Sequence, residues 1–358
     1  MRVLLAGGGT AGHIEPALAT ADAIRRLEPT AMVSLLGTAR GLETRLVPAR
    51  GYPLELVPAV PLPRRPGVDL ARVPGRLRLA LAAALTVLDR VRPDVVVGFG
   101  GYVAVPAYLA ARHRGVPIVV HEANARPGLA NRLGARFTRH VAVASAASSW
   151  RHAVHIGMPL RREVATLDRP ARRIAARGAW GLAEDRPVLL VFGGSQGARR
   201  LNVAVADAAP QLLAIGVQIL QATGVGQYDE FAAGPTVEGH VQVPYVDAME
   251  QAYAAADLAV CRAGAMTVAE LTAVGLPAVY VPLPIGNGEQ RLNAEPVVAA
   301  GGGLLIEDAR VDGAALAEAV LGLAADAARL QAMGEAAAAL GRRDADEALA
   351  RMILGVAA

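Results

Sequence analysis

The sequence predicts an α/β fold with two similar domains, each built on a doubly wound parallel sheet. Three observations lead to this class. Short apolar runs alternate with longer helical patterns along the 358 residues, as in parallel sheets covered by helices. This length is too great for one compact core and suits two. Finally, Arg2–Gly12 (RVLLAGGGTAG) and Pro187–Gly197 (PVLLVFGGSQG) are identical at six of eleven positions, which indicates two copies of one plan.

The predicted strands are short, continuous apolar runs, as expected for strands that are buried on both faces. In the first half they are Val3–Ala6, Val33–Leu36, Val95–Val97, Ile118–Val120 and Val141–Ala144. In the second half they are Val188–Phe192, Val217–Gln221, Leu258–Val260 and Ala278–Val281. Helical patterns between these strands include Pro16–Arg26, Pro106–Arg114, Asn202–Leu213 and Ala265–Val274.

The domain boundary is predicted near Gly157-Met158-Pro159, where the first alternation ends. This gives a first domain over residues 1–158 and a second domain over residues 159–342. The segment Leu160–Arg186, at the start of the second domain, is rich in Arg and is predicted to be irregular. The last stretch, about 343–358, has helical spacing, and we expect it to pack back on the first domain.

The composition excludes several classes of protein. All 36 basic residues are Arg, which excludes a Walker-type phosphate loop and a pyridoxal phosphate enzyme, since both need Lys. With 4% aromatic residues there are few stacking platforms for nucleic acid, which we do not expect as a partner. The single cysteine, Cys261, cannot form an intrachain disulfide, and we expect it to be a packed residue in a reducing compartment. We expect neither a signal peptide nor a membrane span, which needs ~20 apolar residues.

Three glycine-rich loops follow predicted strands, at Gly7–Gly12, Gly98–Gly101 and Gly193–Gly197. Glycine lets the backbone approach a phosphate closely, and the helix that follows offers free N–H groups. Three such loops suggest two phosphorylated ligands. The first loop also matches a dinucleotide fingerprint, but an NAD site needs an acidic residue at the end of the second strand. That strand ends Leu36-Gly37-Thr38 without a carboxylate, so an NAD enzyme remains only as an alternative.

Polar residues follow three further strands, at the sheet edge where doubly wound folds bind ligands. The segment His121–Arg132 follows one of them and contains both Glu122 and Asn124. A glycine turn at Gly264 begins a helix whose first residues should offer backbone N–H groups. Glu270 lies one turn further and can accept hydrogen bonds from both hydroxyls of a ribose. Gln290 and Asn293 carry amides that can reach a sugar hydroxyl.

Six sequence blocks together resemble the MurG family of glycosyltransferases: GGGTAGHIEPALA, GFGGYVAVPA, HEANARPGLANR, GGSQGA, CRAGAMTVAEL and EQRLNA. They occur in the order of the family, between Val3 and about Gly303. The resemblance implies two facing Rossmann-like domains of the GT-B type with a cleft between them. It also implies an inverting enzyme that moves N-acetylglucosamine (GlcNAc) from UDP-GlcNAc to the muramic acid 4-hydroxyl of lipid I. The product, lipid II, serves peptidoglycan synthesis and thereby cell shape and division.

By match to the family, the donor should lie mostly on the second domain, and no cofactor is implied. Ser195 would hold the diphosphate, with Arg161 close to it at the hinge. Val246 and the turn Ala265-Met266-Thr267 would frame the uracil and the phosphate. Glu270 would bind the ribose, and Gln290 the sugar hydroxyls.

On the first domain, four residues match family positions that touch the donor sugar, namely Thr10, Ala11, Gly12 and Asn124. The first two glycine loops would then face the diphosphate of the acceptor. Four positions depart from the commonest family pattern, namely Ala11, Ala123, Met158 and Glu289. Ala11 adds a methyl group to a tight loop and Met158 removes a polar contact at the hinge, but neither removes a group to which we assign chemistry.

The implied reaction is one displacement at the anomeric carbon, which needs a base for the hydroxyl proton and donors for the charge on UDP. His13 is the candidate base, because a helix N-terminus disfavours the imidazolium form. Glu122 is the second candidate. Helix N-termini, Ser195 and Arg161 would stabilise the leaving group. No metal is expected, and the acidic pair Asp344 and Asp346 is predicted to lie on a solvated face.

A basic and apolar segment can dock on a membrane. Its basic residues are Arg64, Arg65, Arg72, Arg76 and Arg78 before the apolar run Leu79–Leu88, and Arg90 and Arg92 after it. Such a segment can bind an anionic surface through Arg while burying Leu, or it can be a core helix with basic ends. The resemblance favours docking, since the family is peripheral at the cytoplasmic face of the bacterial membrane.

The implied partners are therefore UDP-GlcNAc, lipid I, anionic lipid and other cell-wall enzymes. Two alternatives stay open at this point. One is another two-domain UDP-sugar glycosyltransferase with a glycolipid acceptor, and the other is an NAD- or sugar-nucleotide-binding Rossmann enzyme.

Overall fold

The computed structural model divides the chain into two compact units. It describes residues 1–60, 72–148, 150–194, 196–232, 237–285 and 287–357. The first unit comprises Met1–Arg161 together with Arg343–Ala358, and the second comprises Arg162–Arg342. The predicted boundary at residue 158 lies close to this division, and the last residues belong to the first unit.

The first unit contains a seven-stranded parallel sheet in the order β3-β2-β1-β4-β5-β6-β7. Its strands are β1 (Arg2–Ala6), β2 (Met32–Gly37), β3 (Leu54–Leu56), β4 (Val95–Gly98), β5 (Ile118–Glu122), β6 (Val141–Val143) and β7 (Ala153–His155). Its first helices are α1 (Ala11–Leu27), α2 (Glu43–Ala49), α3 (Val73–Val91), α4 (Gly101–Arg114) and α5 (Leu129–Gly134). Val3 and Leu5 pack into one core cluster while Leu4 and Ala6 pack into another. Strand β1 is thus covered on both faces, which explains its continuous apolar run.

The second unit repeats this plan with six parallel strands in the order β10-β9-β8-β11-β12-β13. The strands are β8 (Val188–Phe192), β9 (Gln218–Ala222), β10 (His240–Val243), β11 (Leu258–Cys261), β12 (Ala278–Tyr280) and β13 (Gly303–Leu305). The helices are α6 (Arg162–Ala165), α7 (Arg169–Ala179), α8 (Arg199–Ala214), α9 (Tyr228–Phe231), α10 (Met249–Ala255), α11 (Ala265–Val274), α12 (Glu289–Ala299), α13 (Gly313–Ala324) and α14 (Ala327–Ala338). Each sheet has the strand order of a Rossmann fold, with the glycine loop after its central strand.

All nine predicted strands are present, which confirms the predicted α/β class. The four strands that the sequence analysis missed, β3, β7, β10 and β13, are the edge strands of the two sheets. They are short, and most of their residues are partly or fully exposed. An edge strand is covered less completely, so it carries no continuous apolar run by which it could be recognised.

The prediction that Leu160–Arg186 is irregular was wrong, because helices α6 and α7 lie within it. Helix α7 begins at Arg169 after Asp168, whose side chain accepts the Ala171 N–H at 3.1 Å. Two of its Arg side chains, Arg169 and Arg177, point inward. Arg177 is fully buried and pairs with Asp257 at 2.6 Å, and Arg169 Nε donates to the Tyr253 carbonyl at 3.0 Å. The helix was missed because its buried face is basic rather than apolar.

The C-terminal helix, α15 (Ala345–Ala357), packs on the first unit, where Leu349 and Ile353 join the core beside α1. The prediction that the acidic pair lies on a solvated face was wrong for Asp346. This side chain is buried, and its Oδ2 lies 2.5 Å from Arg26 Nη2 of α1. The pair Arg26–Asp346 therefore ties the end of the chain to the first unit.

The segment with the predicted membrane-docking residues is helical over Val73–Val91. Helix α3 buries Ala80, Ala84 and Val87 against the unit, while 67% of the Leu79 side chain is exposed. Arg64 and Arg65 lie outside the described residues. None of the helices in the described part of the chain is long and apolar enough to cross a bilayer.

Candidate active site

The first glycine loop joins β1 to α1. Gly9 has a φ of 87°, a backbone conformation that glycine adopts without strain. Thr10 precedes the helix and is exposed, and Ala11 and Gly12, in the first turn, are partly exposed. The predicted contact positions Thr10, Ala11 and Gly12 therefore lie at the accessible side of the loop, where the first N–H groups of the helix begin.

His13 lies in the first turn of α1 and is held by the loop before it. Its Nδ1 lies 3.1 Å from Thr10 Oγ1, and its ring forms a hydrogen bond with the Gly8 carbonyl. Burial lowers the pKa of His13, although the Glu122 carboxylate and the hydrogen bond to Gly8 act in the opposite direction. The imidazole therefore favours its neutral form near pH 7, and burial is the largest cause.

The second glycine loop packs against this imidazole. Gly100 and Gly101 have φ values of 97° and 75°. A Cβ atom on Gly100 would lie 3.2 Å from His13 Nε2, and one on Gly101 would lie 2.8 Å from the Gly8 carbonyl oxygen. The two loops can approach each other around His13 only because these positions are glycine.

Glu122 ends β5 and organises the polar segment that follows. Its Oε1 accepts the Asn124 N–H at 2.9 Å and the Asn124 side-chain amide at 3.3 Å. Its Oε2 accepts from the Gly128 N–H and from Asn131 Nδ2, both at 3.0 Å. Because both oxygens of this buried carboxylate hold the segment in place, the geometry favours His13 over Glu122 as the base.

His121 has a structural environment. It is fully buried, its Nε2 lies 3.1 Å from the Gly157 carbonyl oxygen, and its ring lies 5.6 Å from that of Phe99. Burial lowers the pKa of His121 to about 4, so the ring is neutral in the folded protein. Its hydrogen bond to the Gly157 carbonyl holds the end of β5 in place.

The sequence analysis missed Glu43, a fully buried carboxylate behind the first glycine loop. It lies in α2, yet its Oε2 accepts the Gly9 N–H at 3.1 Å. Glycine at positions 37 and 41, on both sides of the turn before α2, was the available signal, because a Cβ atom at either position would collide with the Glu43 side chain. An acidic group thus does lie behind this loop, but it faces protein donors.

The second unit carries its glycine loop at Gly193–Gly197, although Ser195 lies outside the described residues. Gly197 has a φ of 72°, and a Cβ atom there would lie 2.0 Å from the Thr223 carbonyl oxygen. A chain of amides supports the loop. Gln227 Nε2 donates to the Gln196 carbonyl at 2.9 Å, and Gln227 Oε1 accepts from Asn202 at 3.0 Å.

Strand β11 ends at Cys261, and helix α11 begins at Ala265, directly after Gly264. The first residues of α11, Ala265, Met266 and Thr267, are partly exposed. Glu270 lies in the second turn and is buried. The Tyr253 hydroxyl donates to Glu270 Oε2 at 2.7 Å, which holds the carboxylate in one orientation. The sequence analysis did not anticipate this tyrosine, because it lies 17 residues away, on α10.

Gln290 lies in α12 and forms hydrogen bonds with the segments that follow β11 and β12. Its Oε1 accepts the Ala263 N–H at 3.2 Å and the Leu283 N–H at 2.9 Å. This oxygen is engaged, so Gln290 can offer a ligand only its NH2 group. Val246 is buried, and Arg161 is the partly exposed last residue before the second unit.

The described ranges contain no group of three His, Cys, Asp or Glu side chains that could hold a metal ion. Cys261 is fully buried at the end of β11, and burial raises the pKa of its thiol. This agrees with its predicted role as a packed residue.

Both units match known domains. Residues 3–143 match the glycosyltransferase family 28 N-terminal domain, and residues 188–349 match the glycosyltransferase family 28 C-terminal domain. Together the two matches cover most of the chain. The first match contains the glycine loops Gly7–Gly12 and Gly98–Gly101, and the second contains Gly193–Gly197.

Proteins and a solved structure that are similar to this chain over nearly its whole length support these domain matches. A protein of a Nocardioides species is 61% identical over 356 residues, which are 99% of this chain and 98% of the relative. One of Streptomyces avermitilis is 60% identical over 354 residues, with coverage of 99% and 98%. Both are named UDP-N-acetylglucosamine–N-acetylmuramyl-(pentapeptide) pyrophosphoryl-undecaprenol N-acetylglucosamine transferase. The crystal structure of MurG from Acinetobacter baumannii superposes with a TM-score of 0.78 at 28% identity, covering 99% of each chain.

Proposed function

This chain belongs to glycosyltransferase family 28 and, within it, to the MurG family, and from this premise we propose that it transfers GlcNAc from UDP-GlcNAc to lipid I. The observation that carries the proposal is the identity of 61% over nearly the whole chain with a transferase of that name. The arrangement of both units supports it, because each glycine loop lies at the carboxyl ends of its strands, where such folds bind their ligands.

The second unit is proposed to bind the donor. The N–H groups at Ala265–Thr267 and the loop Gly193–Gly197 would hold the diphosphate at helix N-termini, where anions are favoured. Glu270, oriented by Tyr253, would accept the ribose hydroxyls. The Gln290 amide would donate to the sugar, and Val246 would lie beside the uracil. Ser195 and Arg161 would add donors for the charge that develops on UDP.

The first unit is proposed to supply the base. The acceptor hydroxyl oxygen attacks the anomeric carbon, its proton passes to His13, and the bond to the diphosphate breaks with its electron pair leaving on UDP. A carbonyl oxygen can only accept a hydrogen bond, so the His13 nitrogen that faces Gly8 carries a proton. The other nitrogen then keeps the lone pair that a base needs. Thr10, Ala11, Gly12 and Asn124 would contact the donor sugar near this nitrogen.

The reaction is tested by following radiolabel from UDP-GlcNAc into lipid I, with UDP-GalNAc as the control donor. We expect label in a lipid product with UDP-GlcNAc and much less with UDP-GalNAc. We also propose that no metal is required, so a chelator should leave the rate unchanged. Equal transfer from both donors, or transfer only to a different glycolipid, would favour another UDP-sugar transferase.

Helix α3 is proposed to bring the enzyme to the cytoplasmic face of the membrane as a peripheral protein. Exposed Arg72 and Arg78, together with Arg76, precede the exposed Leu79, an arrangement that can bind anionic headgroups and insert one apolar side chain. Changing Arg72, Arg76 and Arg78 to Glu should weaken cosedimentation with anionic vesicles and leave transfer to a detergent-solubilised acceptor intact. Unchanged cosedimentation would exclude this face. Other cell-wall enzymes remain proposed partners.

A further inference from the structure

Glu43 is surrounded by glycines from three segments of the chain. A Cβ atom on Gly8 would lie 2.7 Å from Glu43 Oε1, one on Gly37 would lie 2.6 Å from Glu43 Cγ, and one on Gly41 would lie 1.8 Å from Glu43 Oε2. The first glycine loop, the end of β2 and the turn before α2 therefore all approach this one side chain. Such close packing fixes the position of the carboxylate.

The carboxylate is satisfied entirely by protein donors. Its Oε1 accepts the Thr38 N–H and the Thr38 hydroxyl, both at 2.8 Å, and its Oε2 accepts the Gly9 N–H at 3.1 Å. Burial acts to raise the pKa of Glu43, but the hydrogen bonds from Thr38, from its own backbone N–H and from Gly9 outweigh it and lower the pKa below its ordinary value. Glu43 therefore stays ionised at neutral pH, in the form that accepts these bonds.

The residues that Glu43 holds are the ones that hold His13. Gly8, which packs on Glu43, provides the carbonyl that hydrogen-bonds to the imidazole. Gly9, which donates to Glu43, precedes Thr10, whose Oγ1 lies 3.1 Å from His13 Nδ1. The Thr10 carbonyl also accepts the His13 N–H at 3.1 Å. A short path of direct contacts thus leads from the buried carboxylate to the ring.

We propose that Glu43 is a positioning residue for His13, acting through the Gly8–Thr10 backbone, and that it has no contact with substrate. The part of this inference that concerns catalysis rests on the proposed function. The part that concerns the ring is independent of it, since the loop geometry holds His13 with or without a substrate.

The first test uses Glu43→Gln, which keeps the size of the side chain but replaces one acceptor oxygen by an amide that cannot accept. Asp346→Asn is the matched control, because it neutralises another buried carboxylate of the same unit. We expect faster hydrogen exchange of the Gly9 amide in Glu43→Gln, and a His13 pKa, followed by NMR, that moves up toward its ordinary value as the loop admits water. Asp346→Asn should change neither. Wild-type exchange and titration in Glu43→Gln would overturn the proposal.

Thr38→Val is a milder second variant that removes one hydroxyl donor from Glu43 and keeps the bond to Gly9. It should shift the same two readouts in the same direction by a smaller amount, so the proposal stays testable if Glu43→Gln does not fold. A His13 titration in Thr38→Val that equals that of Asp346→Asn would count against the path from Glu43 to the ring.

Kinetics separate this proposal from the proposed function. In Glu43→Gln we expect kcat to fall at least tenfold, the acid limb of the pH–rate profile to move up with the His13 pKa, and the KM for UDP-GlcNAc to stay within twofold. A loss of kcat without movement of the acid limb would indicate a merely structural role. Absence of transfer in the wild-type protein would instead reject the proposed function and leave the NMR result standing.

Discussion

Two of the three glycine loops occupy equivalent positions in the two units but have different supports, namely Gly7–Gly12 in the first unit and Gly193–Gly197 in the second. Each follows the central strand of its sheet and precedes a long helix, α1 or α8. The carboxylate of Glu43 lies behind the loop Gly7–Gly12, whereas the neutral amides of Asn202 and Gln227 lie behind the loop Gly193–Gly197. A buried negative charge opposes the approach of a phosphate, and an amide does not.

This difference shows how one repeated fold can serve two kinds of chemistry. In the loop Gly7–Gly12 the Gly9 N–H donates to Glu43, so this donor is not available to the acceptor diphosphate that the sequence analysis expected to face this loop. The loop is better suited to holding the His13 ring. Behind the loop Gly193–Gly197, the Asn202 and Gln227 amides carry no net charge, so they do not oppose the diphosphate that we propose to bind at the start of α8.

The largest expected effect is that of His13→Ala, which separates the chemistry of the first unit from the donor binding of the second. General-base catalysis contributes about 10²–10⁴-fold, so turnover should fall at least a hundredfold. Binding of UDP-GlcNAc, measured by calorimetry, should stay nearly intact. A variant with full turnover would show that His13 is not the base, and a variant that lost donor binding would contradict the division of roles.

A second effect concerns the acid sensitivity of the first unit. The pKa of His121 is lowered to about 4 in the folded protein, below its value in the unfolded chain. Its contribution to stability is therefore complete above pH 6.5 and is lost as the pH falls toward 4, because the unfolded chain gains a proton that the folded chain excludes. The full shift corresponds to roughly 3 kcal/mol.

The two tryptophans allow this loss to be measured in each unit, since Trp150 lies in the first and Trp180 in the second. Denaturant unfolding of Trp180→Phe and Trp150→Phe variants at pH 7 and pH 4.5 reports the two units separately. The first unit should lose stability between these pH values, and adding His121→Gln should reduce that loss. If the loss is the same with and without His121, the assignment of the acid sensitivity to this residue is wrong.

The smallest expected effect is that of Tyr253→Phe on donor recognition. Removing the hydroxyl deletes one hydrogen bond to Glu270, worth about 0.5–1.5 kcal/mol, so the KM for UDP-GlcNAc should rise about two- to tenfold. The kcat should change little, and the preference for a ribose over a 2′-deoxyribose donor should shrink. Tyr280→Phe is the control, because the buried Tyr280 hydroxyl lacks a hydrogen-bond partner among the described residues. Equal effects of the two variants would exclude a specific role for Tyr253.

The sequence predicted the central strands well and the edges poorly. Residues Val3–Ala6 of β1 and all five residues of β8 are apolar because both faces of these strands are covered. Helix α7 was missed because its inward face carries Arg169 and Arg177, whose charges are satisfied by backbone carbonyls and Asp257. A pattern of apolar residues cannot reveal a buried face of this kind.

The candidate site shows the same limit. The end of β2, at Gly37 and Thr38, carries no acidic residue, and the sequence analysis therefore left an NAD enzyme only as an alternative. It did not reveal that α2 returns the Glu43 carboxylate to this same place, five residues later along the chain. Tyr253 was missed for the same reason, since it reaches Glu270 from another helix.

The sequence by itself determined the two-domain α/β plan, the positions of the glycine loops and the membership of the family. These properties depend on local signals, namely apolar strands and glycines that permit positive φ. Only the tertiary structure decided which buried polar groups support those loops, because the partners come from distant segments. Burial in a medium of low polarity makes such partners obligatory, but it leaves no periodic pattern in the chain. The folded protein alone therefore shows that a carboxylate supports the loop Gly7–Gly12 and that a chain of amides supports the loop Gly193–Gly197.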